Sequence, residues 1–243
     1  MLGAFAWGFV AASSLIVGGV IALRYRIANR LLGLVMAFGS GVLISAVAFE
    51  LVEEATDTAG GNGIVGLGLL VGSCVFFAGD MVIDRMGGAG RKDVGGDQAQ
   101  GSGAAIVLGI VLDGIPESIV IGLTIVTGGA VSAAFLAAVA LSNLPEAVAA
   151  TSGLRAGDWA GRSILGLWTL VAAVSGVAAL FGFAVFDSAS AGATAFVLAF
   201  AGGAILTMLA DTMMPEAFEH AGPLVGVVTT LGFAAAYGLS ALE

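Results

Sequence analysis

The run Ala104-Ala-Ile-Val-Leu-Gly-Ile-Val-Leu-Asp113-Gly-Ile-Pro116-Glu117-Ser-Ile-Val-Ile-Gly-Leu-Thr-Ile-Val126 decides the fold. It is apolar for long enough to cross a bilayer, where about 20 residues suffice for a helix. Yet an aspartate, a proline and a glutamate stand at its middle. Acids at that depth are costly, about 2.5–3.5 kcal/mol each on insertion scales, and mark functional positions by default. Asp113 and Glu117 are four apart, so a helix places them on one face.

The remainder of the chain has the same character. Of 243 residues, 59% are hydrophobic and 10% charged, whereas a soluble domain carries about a quarter charged residues. With only 8 Lys and Arg there is no basic patch for nucleic acid. These values exclude a soluble enzyme, a disordered chain and a nucleic-acid binder. The 39 glycines suit helices that approach closely in lipid. Cys74 stands alone, which excludes a disulfide framework or thiolate metal site. The N-terminus lacks the basic region and early cleavage site of a signal peptide, so its first apolar segment is expected to be kept.

Apolar runs and turn signals predict eight spans in a single polytopic domain covering 1–243: 3–23, 31–54, 64–84, 104–126, 131–151, 163–186, 193–217 and 223–242. The longest polar segment, Met86 to Ser102, is an expected cytoplasmic loop. All eight basic residues fall in three loops on one side: Arg24, Arg26 and Arg30; Arg85, Arg91 and Lys92; Arg155 and Arg162. The positive-inside rule makes that side cytoplasmic and puts both termini outside. The expected setting is a lipid bilayer, as a multi-pass protein of a prokaryotic cell membrane. Trp7, Trp159 and Trp168 lie near span ends, as an interfacial belt would.

The chain echoes itself. Phe38, Gly41, Ala48, Glu54 and Ala55 match Phe200, Gly203, Ala210, Glu216 and Ala217 at one constant offset. Gly114-Ile-Pro-Glu117 is echoed by Asn143-Leu-Pro-Glu146. Each pair lies on spans of opposite direction. The expected fold class is therefore an all-α membrane protein of eight transmembrane helices with an inverted repeat. Spans 1–3 are set against 6–8 around the central pair 4–5, and both termini are extracellular. Such transporters bind substrate near the midplane, where helices are broken.

Three of the four prolines precede glutamate, at Pro116, Pro145 and Pro215. Proline removes an amide donor and leaves the carbonyl one turn earlier without its usual partner. In a bilayer that carbonyl needs another partner or a polar cavity. Ser142, Asn143 and Glu146 occupy the middle of span five. If spans four and five face each other, three carboxylates and an amide converge at mid-depth. No Lys or Arg lies in either span, so a divalent cation or protonation must neutralise the acids. Carboxylate and amide oxygens form a ligand set for hard divalent ions.

These residues resemble the ZIP (Zrt/Irt-like) family of divalent metal transporters. There span four reads His-Asn-x-Pro-Glu-Gly, and span five reads His or Gln, then Asn or Asp, x-Pro-Glu. The likeness runs over the whole chain, with Phe38-Gly-Ser-Gly in span two and Phe200-Ala-Gly-Gly through Pro215-Glu216-Ala217 in span seven. The resemblance implies metal-ligand roles for Glu117, Asn143 and Glu146. Asp113 stands where the family has its first histidine, and Ser142 where it has a histidine or glutamine. Gly114 replaces an asparagine ligand. The family's span-six Glu-Pro, which completes a binuclear site, corresponds to Ser175-Gly176, and the family's His-rich loop is absent. The resemblance thus implies an altered first metal site and a lost second one.

The expected function is transport of Zn²⁺, or a harder ion such as Mn²⁺ or Fe²⁺, into the cytoplasm by alternating access. Zinc favours imidazole and thiolate beside carboxylate, whereas oxygen alone suits harder ions. The family implies an elevator-like motion of spans one, four, five and six against two, three, seven and eight. Asp211 and Glu216 in span seven, and Glu50 and Glu54 in span two, are candidate pathway residues. The single histidine, His220, is expected to be a solvated turn residue. Glycine-rich faces permit a homodimer. A non-transporting, metal-sensing relative is the alternative. A membrane aspartyl protease has only the fragment Ala78-Gly79-Asp80 in its favour, so no enzyme is expected.

Overall fold

The computed structural model describes residues 2–61, 63–88, 103–128 and 131–241. Most of the polar loop, with Arg91 and Lys92, lies outside the described residues. Among the described residues the chain forms eight helices and no strand. They are α1 (Leu2–Arg24), α2 (Asn29–Ala59), α3 (Ile64–Gly88), α4 (Gly103–Gly128), α5 (Ala133–Ala156), α6 (Gly161–Phe186), α7 (Ala191–Ala221) and α8 (Leu224–Ser240). The first seven are long and apolar enough to cross a membrane. The eighth is apolar but shorter.

Local chemistry sets several of the ends. The Ser132 hydroxyl accepts from the amide of Phe135 and caps α5, and Ser190 does the same for Ala193 at the start of α7. Helix α2 runs past residue 54 to Ala59 and stops at Gly60, whose φ of 63° is left-handed. Glycine adopts that conformation without the steric penalty of a Cβ.

One π-helical segment, Asp84–Gly88, ends α3, and two others interrupt helices, Val47–Glu53 in α2 and Leu209–Met213 in α7. Periodicity did not reveal them. The two interrupting segments begin at positions related by the same offset as the Phe38/Phe200 echo. The first carries Glu50 and Glu53, the second Asp211. Short π segments widen a helix by one residue and occur often at functional sites.

Packing divides the helices into two groups. In the first, α2 pairs with α8 and α3 with α7. The crossings match. A Cβ on Gly41 would overlap the Thr229 carbonyl, and one on Gly232 the Phe38 carbonyl. In the other pair, a Cβ on Gly203 would overlap the Leu69 carbonyl, and one on Gly72 the Phe200 carbonyl. Backbones this close bring Cα–H groups onto carbonyl oxygens, each contact contributing about 0.5–1 kcal/mol. Lipid supplies little hydrophobic drive between helices, so such packing must supply it.

The second group joins α1 to α6 and α5, and α4 to α6. A Cβ on Gly8 would come within 2.8 Å of the Ser175 carbonyl oxygen, and one on Gly176 within 2.9 Å of that of Phe5. This group holds a core of its own, in which Leu15, Ile106, Leu154 and Ile164 surround Trp168. Trp168 is 0% exposed, and its Nε1 donates to Thr151 Oγ1 at 2.9 Å. It is therefore a core residue and not part of an interfacial belt, because α1 and α5 close over it. Trp7 and Trp159 remain exposed. The two groups meet through α2 against α5 and α4 against α7. Apolar side chains such as Leu70, Phe77, Phe181, Val227 and Leu231 face outward, as a lipid-facing surface requires.

Candidate metal site

Helices α4 and α5 carry Pro116 and Pro145 in their interiors and remain helical across both. The sequence suggested broken helices here. Neighbouring helices pack closely around Pro145. Pro145 withdraws the amide that would bond the Leu141 carbonyl. Gly39 of α2 packs onto that carbonyl, with its Cβ direction 3.2 Å from the oxygen. Gly18 of α1 packs more closely still on the Leu144 carbonyl, three residues along, with its Cβ direction 2.6 Å from the oxygen. Pro116 has a different neighbourhood. Together with Leu112 and Ile115 it borders an apolar cavity of about 170 Å³ beside Val75, Phe76 and Phe200.

The side chains near the two prolines are buried. Asp113, Glu117, Ser142, Asn143 and Glu146 are each 5% exposed or less. All five carry oxygen. The Ser142 hydroxyl donates to the Val139 carbonyl at 3.0 Å, which leaves its lone pairs as acceptors. Ser118 donates likewise to the Gly114 carbonyl at 2.6 Å. Among the described residues, no group of three or more His, Cys, Asp or Glu side chains is placed to hold a metal ion. Any ion held here would draw on the amide of Asn143 and the hydroxyl of Ser142 as well as on carboxylates.

Gly114 and Ser175 also come together. A Cβ on Gly114 would stand 3.8 Å from Ser175 Oγ, and Ser175 is buried. Neither position carries a carboxylate, imidazole or amide.

The other candidates are dispersed. Glu50 accepts from the Ser240 hydroxyl of α8 at 2.8 Å. Glu54 is partly buried just past the first π segment. Asp211 is exposed and lines an open cavity of about 640 Å³ with Ser73, Cys74 and Thr207. Glu216 lies 2.9 Å from Nε2 of His220, one turn on. His220 therefore sits in the last turn of α7 against a carboxylate, and is not a solvated turn residue. Sequence reading missed the close packing of Gly18 and Gly39 on α5. Their only signal was a glycine inside an apolar run.

No family model matches the chain. A curated relative from Arabidopsis thaliana, named "Putative zinc transporter", is 26% identical over 215 residues. The match covers 86% of this chain and 34% of the relative. The chain thus spans about a third of the length of the curated relative it matches.

Proposed function

We propose that this chain spans the membrane eight times and carries a divalent metal ion across it in the manner of the ZIP transporters. The observation that carries the reading is the burial of five oxygen-bearing side chains on two adjacent proline-containing helices. Asp113 and Glu117 on α4, with Ser142, Asn143 and Glu146 on α5, are the proposed ligands. An all-oxygen set favours Mn²⁺ or Fe²⁺ over Zn²⁺. The facing pair Gly114 and Ser175, at the positions where the family has further ligands, accounts for a single ion rather than two. The name of the plant relative supports a metal as cargo.

The matched glycine crossings and matched π segments support an inverted repeat. Arginine loops gathered at one end support extracellular termini and uptake toward the cytoplasm. The two packing groups correspond to the two bodies that an elevator-like movement needs. Helices α4 and α5 close on the ion through side-chain rearrangement, and protonation of the acids assists its release. Glu50, Glu54, Asp211 and Glu216 lie along the proposed entry and exit paths.

Flux into proteoliposomes, measured across Zn²⁺, Mn²⁺, Fe²⁺ and Mg²⁺, tests this. Uptake is expected for at least one ion, with Mn²⁺ or Fe²⁺ ahead of Zn²⁺. Glu117→Gln should reduce it by at least about 10–100-fold, the range for changing only the hydrogen-bond partners of metal ligands. Full uptake by that variant would remove the site. A second reading, a metal-binding relative that does not transport, gains from the absence of a ready three-ligand group. Calorimetric binding that depends on Glu117, without flux, would select it.

A further inference from the structure

At the end of the bundle that bears the arginine loops, a cavity of about 580 Å³ opens between the end of α1, the start of α2 and the second half of α5. Arg24, Tyr25, Arg26, Asn29, Ser152 and Arg155 supply its polar lining. Three of the chain's eight basic residues therefore converge on one hollow, in a protein with 17 acids. No Asp or Glu lines it. Asp158, in the turn after Arg155, stands outside the lining. Among the described residues, none of the three guanidinium groups is engaged in an ion pair or a side-chain hydrogen bond.

Like charges gathered in a half-enclosed space repel, and a bound anion relieves that repulsion. Guanidinium groups suit a phosphate above other anions, because their N–H pairs match its oxygens. The volume lies within the range of small-molecule pockets. The start of α2 adds uncapped backbone donors, since Ala28 provides no side-chain cap. Ser152 donates to Val148 and keeps its acceptor lone pairs, so its role is to border the site rather than to bind the anion.

We propose that this cavity binds a phosphate-bearing anion, the chemistry shared by the headgroup of an anionic phospholipid and by free phosphate. An occupant would touch both helix groups, α1 and α5 on one side and α2 on the other. It would brace the seam between them at the arginine end. This site is separate from Asp113, Glu117 and Glu146 and does not depend on metal transport.

The test uses the full chain in phosphatidylcholine nanodiscs containing a minor fraction of phosphatidylglycerol. Native mass spectrometry then counts the phosphatidylglycerol that remains bound. A parallel arm adds inorganic phosphate to the detergent-purified protein and follows its melting temperature. Arg26→Gln and Arg155→Gln should each weaken retention about fivefold, as expected for one basic residue at an anionic surface. Arg162→Gln, outside the cavity, should not. Arg26→Lys and Arg155→Lys keep the charge but lose the fork, and should fall between. They carry the test if the glutamine variants fail to fold. Stabilisation by inorganic phosphate without lipid retention, abolished by the same variants, would support the free-anion source. Equal lipid retention by wild type and the Arg26 and Arg155 variants, with no response to phosphate, would overturn the proposal.

Discussion

The two helix groups share one packing device and differ in the core that surrounds it. In the α2–α8 and α3–α7 pairs, backbone meets backbone beside a core that includes Met36, Leu43, Phe76 and Leu198. Gly41, Gly72, Gly203 and Gly232 sit where a Cβ would overlap a carbonyl. In the α1, α4, α5 and α6 group, a bulky core around Trp168 adds to glycine crossings. The second group also holds Asp113, Glu117 and Glu146, all buried, together with Pro116 and Pro145. The contrast is instructive. Glycine-to-carbonyl crossings fix two helices at one register, and the same device joins α4 to α6, where a Cβ on Gly122 would overlap the Ala179 carbonyl. The core around Trp168 lies wholly within the second group, whereas Val120, Ile121, Phe135 and Val139 of that group join the core of the first. The boundary itself differs along its length, from Gly39 seated on the Leu141 carbonyl to the cavity beside Pro116.

The strongest way to break the contrast is to empty the core of one group. Trp168→Ala should destabilise the protein by about 3–5 kcal/mol, the range for deleting a buried tryptophan. The cost comes from lost contacts and an unfilled cavity, together with a Thr151 hydroxyl that loses its donor. Hydrogen exchange should then quicken in α1, α5 and α6 while α3 and α7 stay protected. Uniform loss of protection in all eight helices would mean that the two groups are one cooperative body.

A smaller effect is expected from the glycine crossings of the first group. Gly203→Ala should cost about 1–3 kcal/mol, as overpacking does, because the added methyl meets the rigid Leu69 carbonyl. Gly226→Ala is the matched control. Nothing lies within 4 Å of that position, so alanine should be neutral or add up to about 1 kcal/mol through helix propensity. Melting temperatures of the two variants, measured side by side, check the difference. Equal values would show that the close crossings bear no special load.

The helical, membrane-like character was legible because hydropathy and length are one-dimensional properties. The run around Asp113 and Glu117 revealed itself by polar residues where apolar ones belong. The partners of those residues were not legible. That Gly39 would cover the carbonyl left by Pro145 depends on how α2 crosses α5, and no local pattern encodes a crossing. Trp168 misled for the same reason. Its place near a span end suggested the interface, but a neighbouring helix buries it. The π segments escaped because inserting one residue per turn leaves an apolar helix looking equally apolar. His220 was misjudged because Glu216, one turn before it, was read only as a pathway acid.

The finest test compares the two interrupting π segments with each other. Their positions correspond, yet they present their acids differently. Glu50 is tethered by the Ser240 hydroxyl, while Asp211 stands exposed at an open cavity. A partly exposed hydrogen bond to a carboxylate contributes about 1 kcal/mol. Ser240→Ala should therefore lower stability by about that amount, and Glu50→Gln by less, since the amide oxygen can still accept. Asp211→Asn should stay within about 0.5 kcal/mol of wild type, as exposed substitutions do. Chemical unfolding in detergent measures all three. If Asp211→Asn were as costly as Ser240→Ala, both acids would be structural, and the matched π segments would serve packing alone. If both acids are nearly neutral for stability but their variants slow metal uptake, the segments instead hold charge along the path of the ion.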